Sequence, residues 1–217
     1  MTGATRKLQS GVAGINVGVL ASGRGSNFEA LVRATRKEAI DADIRLLIAN
    51  VPGAPALDRA AALDVPALTV DHRQFRTRRE FEQAVTAELD RHDIRLVCLA
   101  GFMRILSPWF TARWPNKVMN IHPSLLPAFA GLQGTRVHEA VIESGARVTG
   151  CTVHFVSDDL DGGPIIIQRA IAVRDDDTPE SLSLRVLVEE HHAYPEAVKL
   201  YCDQKLEVSG RRVRRLE

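Results

Sequence analysis

Short apolar runs alternate along this chain with longer segments of helical periodicity. INVGVLA (15–21), DIRLLIAN (43–50), PALTV (66–70), RLVCLAG (95–101), KVMNIH (117–122), GCTVHFV (150–156) and PIIIQRAIAV (164–173) read as strands. Between them, 26–40 sets Phe28, Leu31, Val32 and Thr35 on one helical stripe. A second helix is expected over 55–64, and a third over 77–91 with Phe81, Val85 and Leu89 inward. A last long helix begins at Pro179, with Thr178 as its cap, and stops before LEVSGRRVRRLE. Near-continuous apolar strands separated by helices predict an α/β fold, with a mostly parallel central sheet and helices on both faces. The later strands lie closer together and allow an antiparallel edge. One domain is expected over 15–201, after a leader of residues 1–14 and before a solvated tail of residues 202–217. Ligands of such sheets bind beyond the carboxyl ends of the strands.

Composition narrows the function classes. The 217 residues carry 28 Lys+Arg against 27 Asp+Glu, a formal charge of +1. That balance lacks the basic excess of a nucleic-acid binder, so nucleic acid is not an expected partner. Cys98, Cys151 and Cys202 show no metal-ligand spacing, and so sparse a set suits a reducing compartment. No apolar run approaches the ~18 residues of a membrane span, so no membrane partner is expected. The basic N-terminus lacks the apolar stretch of a secretory signal, and the cytoplasm is the expected location.

Two segments carry the chemistry. Ser22-Gly23-Arg24-Gly25-Ser26-Asn27 joins the first strand to the first helix. Glycines let the backbone approach a ligand, and a helix start offers free N–H groups to an anion. The loop lacks the Lys-Ser/Thr of a Walker motif, and Phe28 stands where a dinucleotide fingerprint needs glycine. It therefore suits one phosphate ester, or else is a plain turn with Ser26 as N-cap. In MNIHPSLLP, Asn120 and His122 project to one side of an extended strand. His122 is suited to proton exchange near neutral pH, and an acid beside it would raise its pKa. Asp161, in the turn LDGGP, is a candidate for that acid, and Asn120 could donate to an oxyanion. No activated nucleophile accompanies them, which favours direct acyl transfer to an amine. Taken singly, a histidine before proline and an Asp-Gly-Gly turn are ordinary structural features. His154 is either sheet-facing or a satisfied half-buried side chain, and His72, His92 and His138 read as surface residues.

SGRGSN, AGFMRILS (100–107), MNIHPSLLPAF (119–129) and GCTVHFV with LDGGPI (160–165) resemble the phosphoribosylglycinamide formyltransferase family, from about Ile15 to about Tyr201. The resemblance implies a Rossmann-like formyltransferase fold and transfer of a formyl group from 10-formyltetrahydrofolate, a co-substrate, to the amine of 5-phosphoribosylglycinamide, without a metal. It further implies that Gly25, Ser26 and Asn27 hold the phosphate and that Glu190 meets the glycinamide end. Arg78, Met103, Arg104, Ile105 and Leu106, with Asn120, would lie along the folate. Asn120, His122 and Asp161 would be catalytic. The segment 129–145 is longer than in familiar members, which often have a histidine near Gln133, and no site is assigned there. Partners are small-molecule substrates, with the chain a monomer or homodimer. The alternatives are formylation of another amine, hydrolysis of the formyl donor, or a nucleotide-binding module without catalysis. Enzymes that formylate a tRNA carry a further C-terminal domain, for which the chain after Asp161 is too short.

Overall fold

The computed structural model describes residues 14–37 and 40–217. The expected leader lies outside these except for Gly14. In chain order the main elements are β1 (Ile15–Ala21), α1 (Ser26–Arg36), β2 (Ala42–Ala49), α2 (Pro55–Ala62), β3 (Ala67–Thr69) and α3 (Arg78–Arg91). They continue with β4 (Leu96–Leu99), α4 (Pro108–Arg113), β5 (Val118–His122), α5 (Thr135–Glu143), β6 (Val148–Phe155), β7 (Ile165–Ala172) and α6 (Pro179–Cys202). A hairpin of β8 (Leu206–Ser209) and β9 (Arg212–Arg215) ends the chain.

The main sheet has the order β3-β2-β1-β4-β5-β6-β7. β1 to β5 pair in parallel, while β6 and β7 run antiparallel, so the expected antiparallel edge is present. Both faces are buried, which explains the unbroken apolar strands. Val17, Val19, Ala21 and Cys98 pack against Phe28 and Leu31 of α1 and Leu182 and Val186 of α6. Leu20, Val97 and Leu99 turn the other way, onto Phe81, Val85 and Leu89 of α3. Burying each such side chain contributes roughly 1.5–3 kcal/mol. Burial also pushes the Cys98 and Cys151 thiols up to about 12, so both behave as small apolar side chains.

Three expectations are corrected. The residue capping α1 is Gly25, not Ser26, and α1 closes at Arg36 rather than 40; residues 38 and 39 lie outside those described. The tail is not simply solvated: β8 pairs β9, and Leu206, Val208 and Val213 pack on the main core. α4 and α5 were not anticipated, because six and nine residues give too few turns for a periodicity to register.

Candidate active site

The chain enters at β1, builds the sheet outward to β3, then returns past β1 to β4 and β5. The direction of construction reverses between β1 and β4, and an open α/β sheet leaves a crevice there. The loops after β1, β4 and β5 line one cleft of about 360 Å³.

The first wall is residues 22–27. Gly25 has φ 73 and passes so close to α2 that a Cβ there would stand 2.7 Å from the Ala56 Cβ. Only glycine fits, and it turns the backbone into α1 with its first N–H groups open to the cleft. Ser22 ties this loop to the next: its hydroxyl donates to Asn50 Oδ1 at 2.6 Å and accepts the Met103 N–H at 2.8 Å. Asn27 is buried and donates from Nδ2 to Glu190 Oε2 at 2.6 Å, while its Oδ1 has no partner. Burial raises the Glu190 carboxyl to about 7, against the pull of Asn27 and Arg24.

The loop after β4 only partly follows the expectation. Ala100, Gly101, Phe102 and Met103 line the cleft, with Met103 half exposed. Arg104 turns away, its guanidinium 5.6 Å from the Phe81 ring centroid. Ile105 is exposed and Leu106 is buried against the α3 side. Arg78 is exposed at the first residue of α3 and is not among the lining residues. The far end of this loop is pinned by Glu82, a buried α3 carboxylate that accepts the Ser107 N–H at 2.7 Å and the Ser107 hydroxyl.

The third wall holds Asn120 and His122, on one face of β5. His154 on β6 pairs directly with Asn120 and so shares that face. The turn between β6 and β7 folds back over it, and brings Asp161 Oδ2 to 3.4 Å from His122 Nε2 and Oδ1 to 3.9 Å from His154 Nε2. Asp161 itself lies at φ 52, a conformation aspartate tolerates better than most residues. Its Oδ2 also accepts the Gly131 N–H at 2.8 Å. This turn depends on Gly163, where a Cβ would meet the Phe155 carbonyl oxygen at 1.8 Å. Gly163→Ala is expected to push the turn off the strand, lower Tm by roughly 5 °C or more and reduce activity with it. Calorimetry beside an activity assay checks this.

The polar wiring orients each group. His154 Nδ1 lies 3.0 Å from the Phe155 carbonyl, which accepts its proton and leaves Nε2 as acceptor for the Asn120 amide at 3.2 Å. One Asn120 N–H remains free of any partner among the described residues. His122 Nδ1 meets the Ser124 hydroxyl at 3.0 Å, and Nε2 meets the Leu132 carbonyl at 3.1 Å. Ser124 Oγ also reaches the Ala128 carbonyl at 2.6 Å. A neutral ring is satisfied when Ser124 donates to Nδ1. A charged ring is satisfied when Ser124 rotates its proton to Ala128 and Nδ1–H donates to Oγ. The site thus stabilises both protonation states of His122, as proton transfer requires.

Asp161 acts on His122 in the expected direction, but burial acts more strongly against it. Burial lowers the His122 pKa below the ordinary 6.5, while Asp161 and then the Leu132 carbonyl oppose that fall. His138 is also corrected: it is 3% exposed and lines the cleft, not the surface. His72 and His92 are half-buried, each with its ring on a backbone carbonyl at 2.8 Å. His154, Ser22 and His138 were missed as site residues. His154 and Asn120 are 34 residues apart, and only strand register joins them.

Linkage fixes the sign of one pH effect. Burial holds His122, His138 and His154 below 6.5, so the unfolded chain takes up protons first on acidification. Stability is expected to fall as pH drops below about 6.5. Glu190, raised to about 7, acts oppositely: its native form holds a proton that the unfolded chain has released. Its contribution grows as pH falls from about 7 toward 4.5. Glu190→Gln should therefore steepen the acid loss, which urea midpoints across this range would read.

Residues 15–198 match the family model described as formyl transferase, and the chain belongs to that family. The Bacillus subtilis phosphoribosylglycinamide formyltransferase is 40% identical over 181 residues, covering 83% of this chain and 91% of that protein. The crystal structure of glycinamide ribonucleotide transformylase 1 from Symbiobacterium toebii superposes with a TM-score of 0.92 at 40% identity, covering 100% of both chains. The Gallus gallus trifunctional purine biosynthetic protein adenosine-3 is 45% identical over 89% of this chain, which spans only 19% of that protein's length. No helix among the described residues is long and apolar enough to cross a membrane.

Proposed function

We propose that this chain is a phosphoribosylglycinamide formyltransferase of purine biosynthesis, moving the formyl group of 10-formyltetrahydrofolate to the amine of 5-phosphoribosylglycinamide. The observation that carries the reading is a single cleft with a glycine-opened helix start on one wall and the Asn120, His122 and Asp161 cluster on another. Gly25, Ser26 and Asn27 take the phosphate through the backbone N–H groups of the helix start, and Glu190, held by the Asn27 side chain, meets the same substrate beyond it. The folate lies along the β4 loop, with Met103 in contact and Arg78 at its outer end. Small molecules are the partners, in the cytoplasm, and a monomer suffices because one chain supplies every wall.

The amine nitrogen bonds to the formyl carbon, and the bond from that carbon to the folate nitrogen then breaks. The proton shed by the amine is returned to the folate nitrogen. Negative charge on the formyl oxygen is met by the free Asn120 N–H. His122, with partners for both its forms, accepts and returns the proton, and Asp161 stabilises the ring while it is charged. Holding two substrates in one cleft supplies much of the acceleration.

A donor-loss assay, run with and without acceptor, tests the proposal. Rapid donor loss only with the phosphoribosylated glycinamide is the expected result. Equal loss without acceptor would mean a donor hydrolase, and activity only with a different amine would replace the acceptor.

A further inference from the structure

The cleft has an electrostatic imbalance. Asp161 and Glu190 both line it, whereas Arg24 is the only lysine or arginine among its lining residues. A phosphate ester brings up to two further negative charges into that space. Helix-start N–H groups supply partial charge, not a full cation. Arg24 is exposed, and among the described residues its side chain has no hydrogen bond or ion pair. Its backbone alone is held, through the carbonyl that accepts Arg59 Nε at 2.8 Å. That contact fixes the loop while leaving the guanidinium unclaimed. The neighbouring arginine, Arg59, is spent on Glu29. Three residues after Arg24, buried Asn27 keeps an unpartnered Oδ1, an acceptor that leaves phosphate oxygens to donors such as the Arg24 guanidinium.

We infer that Arg24 is a specificity-determining residue, whose free guanidinium closes on the phosphate of the ribonucleotide substrate and offsets the cleft's two carboxylates. The inference rests on the proposed reaction and adds to it the group that selects phosphorylated substrate. A planar fork of donors matches phosphate oxygens two at a time. An exposed, unpaired position lets Arg24 also steer an anion inward from solution, an effect that salt screens. Arg24 already lowers the pKa of Glu190. Its removal therefore leaves that acid more protonated, and the test should be run well above pH 7, where Glu190 is ionised.

Arg24→Ala and Arg24→Lys should be compared with the parent protein for binding of ribose 5-phosphate and of ribose, and for KM and kcat with both substrates. The expected result is a loss of roughly tenfold or more in ribose 5-phosphate affinity and a matching rise in KM for the phosphorylated amine, as for a charged hydrogen bond. Ribose binding, the KM for the formyl donor and kcat should barely move, Lys should recover part of the loss, and added salt should shrink it. An Arg24→Ala variant with parent affinity for ribose 5-phosphate overturns the inference, as does an equal loss for ribose. The parent failing to formylate the amine would overturn the proposed reaction alone, since sugar-phosphate binding still reports on Arg24.

Discussion

His122→Ala is expected to lower kcat by roughly 10²-fold or more, the usual loss of a general acid–base. KM for either substrate should change little, because the ring's hydrogen bonds run to Ser124 and Leu132, with Asp161 3.4 Å away, rather than to the phosphate wall. The ring is 4% exposed, so truncation also leaves a cavity. His122→Asn, which keeps polar atoms in that space, separates the two effects: it should fold normally and still lose turnover. Steady-state kinetics on both variants, with melting curves beside them, reads the result. Parent-like kcat in a well-folded His122→Asn protein would remove the ring from the mechanism.

The second large effect belongs to Asn120. Asn120→Ala should cost roughly 10²–10³ in kcat, the range for loss of one oxyanion donor. Half-buried, it has its amide held by His154 Nε2 at 3.2 Å, so its orientation is fixed before substrate arrives. A preset donor stabilises developing charge without reorganising. Asn120→Asp keeps the shape but replaces the donor with a negative charge, and should lose at least as much. Single-turnover rates at saturating substrate are the proper measurement, because they isolate the chemical step. Activity retained in Asn120→Asp would mean that the formyl oxygen is stabilised elsewhere.

The parts legible in the sequence share one property: their signal is local. Strand runs, the Thr178–Pro179 helix start and the Gly25 turn depend on neighbours a few residues away. The same holds for Asn120 and His122, whose spacing of two puts them on one face of any strand. What was hidden depends on long-range register. His154 becomes a site residue only when β6 pairs antiparallel with β5. His138 is buried only because α5, too short to announce itself, turns it into the cleft. In the tail, arginines at 211, 212, 214 and 215 suggested solvent, while Val213 alternates with them and reaches the core. The expectation that Asp161 raises the His122 pKa had the right partner and direction; the opposing effect of burial was not legible. The distance is short, but burial outweighs the carboxylate.

That balance can be measured on the free protein. Ring titration of His122 by nitrogen NMR should give a pKa below 6.5 in the parent and a still lower one in Asp161→Asn, where burial acts without its counterweight. A parent value above 6.5, or one that Asp161→Asn leaves in place, would contradict the pairing on which the proton transfer depends.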